Sequence, residues 1–344
     1  MDQIGIDLGS RESQVCRRSQ DGTIIEQRRY KNASLKAQLK GWPKSRVVME
    51  TGAEAFGMAD AAVEAGHEVR VVPCSLVRSL GVGARKTKND ERDAQVLSEV
   101  SCRIDLPSVH IPSRVSRERK TLCGMREALV RSRVVLVLTV RGWLRTQHRT
   151  LSRGSVNTFA ARVRKLYQEK SATTVPAYVE RQLVAIESLT EQIVAADEEL
   201  AQTAQADPTC QRMMTTPGVG PVTAVRFRSA LDEVSRFDGA HAVQSYLGLV
   251  PGEHSSGERQ RRTAITKAGP SSLRWALVQA AWSVLRTKRS DTLGQWAQQI
   301  ALRRGRWIAV VALARKLAGI LYAIWRDGTT YQSQRTAAPL SATG

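Results

Sequence analysis

The sequence predicts a mixed α/β domain at the N-terminus, followed by a chain that is mainly α-helical with a coiled-coil stretch in its middle. Three observations predict this. Short apolar runs of strand character alternate with helical patterns up to about residue 105, residues 114–170 keep helical spacing with few breakers, and residues 174–207 repeat apolar positions near a heptad interval. The 344 residues therefore divide into 1–105, 106–207, 208–330 and a tail at 331–344. A hydrophobic fraction of 42% is enough to build the cores.

In chain order, Gln3-Ile4-Gly5-Ile6-Asp7 reads as a short apolar strand, and further β-like runs follow at 23–26, 47–50 and 68–72. Helical patterns follow Glu50 and Asp90. Early strands close together, then strands alternating with helices, predict a mixed sheet whose first strands are antiparallel. Residues 114–170 hold 15 Arg and Lys against Glu118, Glu127 and Glu169, a net of +12. Residues 174–207 reverse the sign, with seven acids against Arg181 alone. Val179, Ile186, Leu189, Ile193, Ala196 and Leu200 stand near a and d positions there, which predicts a coiled-coil hairpin or a dimer stem. From Cys210 onward the chain is helical and basic again, and five of its seven Trp (Trp275, Trp282, Trp296, Trp307 and Trp325) fall there, most of them expected to face a core.

The charge narrows the function. Fifty-two Lys and Arg against 32 Asp and Glu leave +20, and 40 of the basic residues are Arg, whose planar fork grips phosphate oxygens in pairs. Nucleic acid is the first partner this implies. Five scattered cysteines without a CxxC argue against a disulfide framework and a zinc site and fit a reducing cytosol. The start MDQIGIDLGS lacks the order of a secretion signal, and Arg315 and Lys316 interrupt the apolar stretch 307–325. The expectation is a soluble, cytoplasmic protein with no membrane partner.

Four acids stand out by position. Asp7 and Glu50 each end an apolar strand, while Asp90 and Asp93 lie one helical turn apart on one helix face. If these carboxylates converge they repel, by ~4 kcal/mol per pair at 4 Å and an effective dielectric near 20, unless cations separate them. Convergence therefore predicts Mg²⁺, a hard cation suited to oxygen ligands and to phosphodiester chemistry. Singly, each acid reads equally well as a helix cap or an Arg partner. Residues 4–10 also resemble the first phosphate loop of actin-like ATPases and sugar kinases. The second Asp-Gly-rich loop and the Gly-Gly adenosine loop of those proteins are missing, and the charge is wrong for a sugar kinase.

Two more stretches carry chemistry. Thr216-Pro217-Gly218-Val219-Gly220-Pro221-Val222 looks like a helix-hairpin-helix turn, in which Gly218 and Gly220 expose backbone N–H groups to a phosphate. The alternative is a plain interhelical turn. Then Ser255-Ser256-Gly257 forms a loop trailed by Arg259, Arg261 and Arg262, with Lys267 and Arg274 beyond, so a Ser hydroxyl and phosphate-binding cations stand together.

In combination, Gly-Ile-Asp, Glu-Thr-Gly, Asp-x-x-Asp-Ala, Pro-Gly-Val-Gly-Pro-Val-Thr-Ala, Gly-Leu-x-Pro, Ser-Ser-Gly and Ile-Thr-Lys-x-Gly resemble the insertion sequence one-ten transposases. That family includes the pilin-gene invertases and the bridge-RNA-guided recombinases. The likeness runs from about residue 3 to 320. It implies a RuvC-like, RNase H-fold domain with an Asp-Glu-Asp-Asp tetrad falling on Asp7, Glu50, Asp90 and Asp93, which hold Mg²⁺. It further implies a coiled-coil linker, a helical transposase domain, and a nucleophilic Ser at Ser256 with Ser255 as the fallback. Ser10 stands where relatives often carry Lys, and Glu258 puts an acid after the Ser-Gly pair. The implied activity is cleavage and rejoining of donor and target DNA through a Ser-phosphate link, guided by a structured RNA, in a homodimer or homotetramer that completes the active sites. Two alternatives stay open on the residues alone: a metal-dependent nuclease or junction resolvase that uses water, and a non-catalytic nucleic-acid-binding protein.

Overall fold

A computed structural model describes residues 1–79, 90–171, 174–256, 259–287 and 292–333. The chain forms two compact units, Met1–Pro112 and Ser113–Gly344. The stretch 113–207 therefore lies in the same unit as residues 208–330.

The first unit is built on a five-stranded sheet of order β3-β2-β1-β4-β5. Strands β1 (Asp2–Leu8), β2 (Glu12–Arg18) and β3 (Ile24–Lys31) form an antiparallel meander, then α1 (Asn32–Gly41) leads to β4 (Ser45–Glu50), which pairs parallel to β1. Helix α2 (Ala55–Glu64) returns the chain to β5 (Glu68–Val72), parallel to β4, and α3 (Cys74–Ser79) follows. The last helix, α4 (Asp90–Arg103), lies across β1 and β2. Alternation sorts the faces: Ile4, Ile6, Val15, Val47 and Met49 join Leu35 and Leu39 of α1 and Met58 of α2 in one core. Val48 and Val72 point the other way and pack with Leu97 of α4, Val77 and Leu106.

The antiparallel start is as the sequence predicts, but β2 and α1 are elements it does not reveal. In β2 the buried positions include Ser13 and Gln14, so its apolar alternation is broken by polar residues that are satisfied only in the fold. In α1 only Leu35 and Leu39 are buried, too few to mark a period.

The second unit opens with α5 (Arg114–Thr146), 33 residues long, capped by the Ser113 side chain accepting from Ser116 N. After α6 (Phe159–Ser171), helix α7 (Ala177–Gln205) runs back along α5. Arg119 pairs with Asp207, Arg126 with Asp197, and Arg133 donates to Thr190. As one number rises the other falls, so the pair is antiparallel. Arg164 of α6 adds ion pairs to Glu180 and Glu187. The sign reversal along the sequence is thus the two halves of a hairpin neutralising each other within one chain. Its apolar seam joins Val137, Val140 and Leu144 to Val179, Leu183 and Ile186.

Helices α8 (Pro208–Met214), α9 (Pro221–Leu231) and α10 (Ala240–Tyr246) precede a two-stranded ribbon, β6 (Pro251–Ser256) and β7 (Arg259–Ile265). Helices α11 (Ser271–Arg286), α12 (Thr292–Arg304) and α13 (Arg306–Asp327) close the fold. Helix α13 is long and apolar enough to cross a membrane by length and composition. It instead supplies Val310, Leu313, Leu317 and Leu321 to the core of this unit. Its interrupting charges are matched there: Arg315 donates to the Gln244 side chain, and Lys316 lies 4.3 Å from the Trp296 ring centroid. Burial lowers the Lys316 pKa from its ordinary value. Trp282, Trp296 and Trp325 pack on the core as expected, but Trp275 and Trp307 are exposed. The five cysteines are free.

Candidate functional site

Asp7 and Glu50 stand at the carboxyl ends of adjacent parallel strands. The register pairs Ile6 with Met49, and one residue further sets Asp7 beside Glu50. Because Ile6 and Met49 face the α1–α2 core, Asp7 and Glu50 fall on the opposite face, where α4 packs. Both carboxylates are half-buried. Gly9 shapes the turn directly after Asp7, since a Cβ there would lie 2.3 Å from the Glu12 carbonyl oxygen. Asn32 holds the same turn by donating to Gly9 O at 2.9 Å. Beyond Glu50, Thr51 N donates to Val72 O and the Thr51 hydroxyl accepts from Cys74 N, which ties the end of β4 to β5 and α3.

The position of α4 is set by Gly5, a residue that the acid pattern does not single out. A Cβ at Gly5 would lie 2.1 Å from Ala94 O and 2.6 Å from Ser98 N, so the helix backbone rests directly on β1. A glycine inside a strand is the signal for such close approach. Ser101 Oγ donates to Gln3 Oε1 at 2.6 Å, and Arg18 Nε to Ser98 Oγ at 3.0 Å. Ser101 lies over Gln3, and Ala94 and Ser98 over Gly5, and toward its N-terminus α4 passes over β2 and β3, where Gln27 Nε2 donates to Glu91 O at 3.3 Å. The first turn of α4 carries Asp90 and Asp93. Asp93 is half-buried, and the Asp90 side chain lies outside the described atoms. Two of the four acids, Asp7 and Glu50, thus share one edge of the sheet. Among the described residues, no group of three His, Cys, Asp or Glu is gathered closely enough to hold a metal ion. The donor chemistry at this edge, carboxylate oxygen throughout, is that of a hard divalent cation.

The second unit places the Ser motif differently from the expected loop. Both serines belong to β6, with Ser255 opposite Gln260 and Ser256 opposite Arg259, while residues 257 and 258 lie outside the described residues. Polar side chains on both faces of this ribbon hide its period from the sequence. The side chains of Ser255, Ser256, Arg259, Arg261 and Arg262 also lie outside the described atoms. Around the ribbon's base, the two glycine motifs lock together. Gly248 has φ +64°, and a Cβ would lie 2.3 Å from Ala268 O; Gly269 has φ +73°, and a Cβ would lie 1.9 Å from Tyr246 O. Lys267, exposed and at φ 57°, donates its N–H to Gly248 O. Arg274 donates to Leu247 O and to Ala268 O, both at 2.9 Å, so its guanidinium clamps the two motifs.

The turn at 216–222 joins α8 to α9, with Gly220 as N-cap and Pro221 in the first turn. Gly218 has φ +79°, and a Cβ there would lie 2.5 Å from Ala280 O, so this glycine is required by packing on α11. Space around Gly220 is open. Helix α9 is deeply buried, and its Arg226, 4% exposed, pairs with Glu127 and donates to Ser272 O and Cys123 O.

Residues 4–149 match the family model of a DEDD transposase of the IS110 type, and residues 210–297 match that of the transposase IS116/IS110/IS902 family. The chain is 28% identical to the transposase for insertion sequence element IS1111A of Coxiella burnetii, over 96% of this chain and 91% of that protein. It is also 28% identical to the transposase for insertion sequence element IS1328 of Yersinia enterocolitica, over 95% and 98% of the two chains. A probable family 20 transposase of Pseudomonas aeruginosa is similar to the same degree, over 96% and 99%. With an acid edge at the end of the sheet and matches to both halves of one family, this chain belongs to the IS110/IS116/IS902 family of insertion-sequence transposases.

Proposed function

We propose that the chain cleaves and rejoins DNA with two sets of groups, a carboxylate tetrad of Asp7, Glu50, Asp90 and Asp93 and a nucleophilic Ser256. The observation that carries this reading is the placement of Asp7 beside Glu50 at the ends of β1 and β4, on the face that α4 covers. The strand order, with an antiparallel meander joined to two parallel strands, supports an RNase H-like, RuvC-like fold for the first unit.

In the proposed reaction the Ser256 hydroxyl attacks a DNA phosphorus. The Oγ–P bond forms as the bond from phosphorus to a deoxyribose oxygen breaks, and the Ser proton ends on that leaving oxygen. The phosphoserine link conserves the bond energy, so a DNA hydroxyl reverses the step on a new strand. The tetrad is the set that would hold Mg²⁺, which when bound polarises the phosphoryl oxygens. Arg259, Arg261, Arg262 and Lys267 supply phosphate contacts along the ribbon, and Gly220 offers the open turn before α9. Target choice belongs to a structured guide RNA, with base pairing reading sequence and the protein reading backbone shape. A homodimer or homotetramer is the working assembly.

The test is a labelled DNA strand-transfer reaction run on a denaturing gel. The intact protein yields a covalent protein–DNA adduct that survives hydroxylamine, and Ser256→Ala abolishes adduct and transfer. If Ser256→Ala still cuts DNA, the enzyme is a nuclease that uses water. Unchanged transposition in Asp7→Asn cells reduces the protein to a binding role. Sequencing the RNA that copurifies addresses the guide: RNA matching DNA beside the gene supports it, and random cellular RNA opposes it.

A further inference from the structure

The corner between α12 and α13 reads Leu302-Arg303-Arg304-Gly305-Arg306-Trp307-Ile308, and every one of these residues is exposed. Leu302 is 89% and Trp307 77% exposed. Trp307 meets Trp282 of α11 edge-on, with ring centroids 5.4 Å apart at 89°. The Arg286 guanidinium lies 5.4 Å over the Trp282 ring. On α11, Trp275 precedes Trp282 by seven residues, so the two lie on one helix face about 10.5 Å apart along the axis. Trp275 is itself 52% exposed. A track of three Trp therefore crosses α11 and the start of α13.

The charge around the track has one sign. From Thr292 to Arg326 the sequence contains no Asp or Glu, and it contains Arg303, Arg304, Arg306, Arg315, Lys316 and Arg326. Arg303, Arg304 and Arg306 have no ion pair among the described residues. A second copy of the same corner would meet like charge. The acidic helix α7 pairs Glu180, Glu187 and Asp197 with Arg164 and Arg126, and its remaining acids, Glu191, Glu198 and Glu199, offer negative charge but no flat aromatic face. A partner with both flat apolar faces and regularly spaced negative charge satisfies the whole surface.

We propose that this face binds an unpaired DNA strand, with bases stacking on Trp307 and Trp275 and phosphates held by Arg303, Arg304 and Arg306. Exposed indole faces suit bases freed from the double helix, because stacking requires a π face that duplex pairing keeps inside. The inference rests on the reading of the chain as a DNA-processing enzyme, whose strand exchange passes through unpaired DNA. It assigns a role to residues that take no part in the tetrad or the Ser motif.

The test uses the full chain and fluorescence anisotropy with a twelve-nucleotide oligo-dT (about 12 nt, within the site size of single-strand binders), a duplex of equal length, and oligo-rU. Trp307→Ala is expected to weaken oligo-dT binding by about tenfold or more, with duplex affinity held within about twofold. Arg303→Ser with Arg306→Ser is expected to reduce the slope of log affinity against log salt by roughly 0.7 for each phosphate that the protein no longer neutralises. Trp275→Ala, at a second exposed position, repeats the oligo-dT loss should Trp307→Ala alter the thermal melt. Equal affinity of wild type and both variants for oligo-dT overturns the proposal. So does a loss confined to oligo-rU, which would make the face an RNA site, or a change in sedimentation mass with oligo-dT binding intact, which would make it a protein contact. An intact Ser256 adduct in a variant that fails to hold oligo-dT sinks neither reading, and supports this one; a missing adduct in the wild type with tight, Trp307-dependent oligo-dT binding sinks only the recombinase chemistry.

Discussion

Asp207 joins two helices of the second unit, α8 and α5, through one carboxylate. It caps α8 by accepting from Thr209 N at 2.8 Å and Cys210 N at 3.2 Å, and it accepts from Arg119 Nη1 of α5 at 2.7 Å. Burial pushes its carboxyl up, but the hydrogen bonds from Cys210, Arg119 and Thr209 outweigh that, and the net pKa lies below the ordinary value. A carboxylate whose folded pKa is depressed stabilises the fold above its unfolded pKa, and that stability is lost as pH falls through the folded value. Asp207→Ala is therefore expected to cost about 0.5–2 kcal/mol at neutral pH from the cap alone. In melts taken at descending pH, the gap to wild type should narrow below the usual carboxylate range; a gap that does not change with pH would mean that the ionised carboxylate contributes nothing to stability. The neighbouring Cys210 thiol is pushed up to about 12, chiefly by burial and then by Asp207. It is held as an inert thiol, so mild alkylation at neutral pH is expected to leave it unmodified while the exposed Cys102 reacts.

At the level of elements, the acid edge depends on how closely α4 approaches β1. Gly5→Ala would put a methyl 2.1 Å from Ala94 O, and the clash is with backbone, so it yields only if the helix moves. Overpacking of this kind costs about 1–3 kcal/mol. The larger expected effect is on chemistry, because Asp90 and Asp93 ride on the displaced helix: DNA cleavage should fall more steeply than the melting temperature, with DNA binding preserved. Cleavage at the wild-type level in a stably folded Gly5→Ala protein would detach α4 from the reaction. The sequence makes the acids visible here through their strand-end and helix-face spacing. It leaves β2 hidden, because Gln14 and Arg18 sit on the α4 side of the sheet, where Arg18 finds Ser98 eighty residues away. Spacing along one segment carries no trace of such a partner.

Over the whole molecule, the formal charge of +20 is unevenly distributed, since Arg119 and Arg126 of α5 and Arg164 of α6 are paired with acids of the stretch 180–207. At the corner of α12 and α13, Arg303, Arg304 and Arg306 have no ion pair among the described residues. Binding to duplex DNA is expected to weaken steeply with salt, each neutralised phosphate adding roughly −0.9 to the log–log slope. A flat response in a titration across physiological ionic strength would contradict a phosphate-dominated interface. Arg274, through Nη1 alone, donates to Leu247 O and Ala268 O.

What the sequence by itself determined was the order of chemistry along the chain: strand-ending acids, a basic helix answered by an acidic one, glycine turns and a serine pair among arginines. Each is a local pattern, set by side-chain type and spacing within a few turns or strands. Only the tertiary structure decided which patterns meet. The parallel register put Asp7 beside Glu50, the α5–α7 packing made the acidic heptads one arm of a hairpin within the chain, and the packing of α11 turned Gly218 into a steric requirement. The same packing left Trp275 and Trp307 outside while drawing Trp282, Trp296 and Trp325 inward. Burial is a property of what lies opposite a residue, and helical spacing alone does not name the opposite surface.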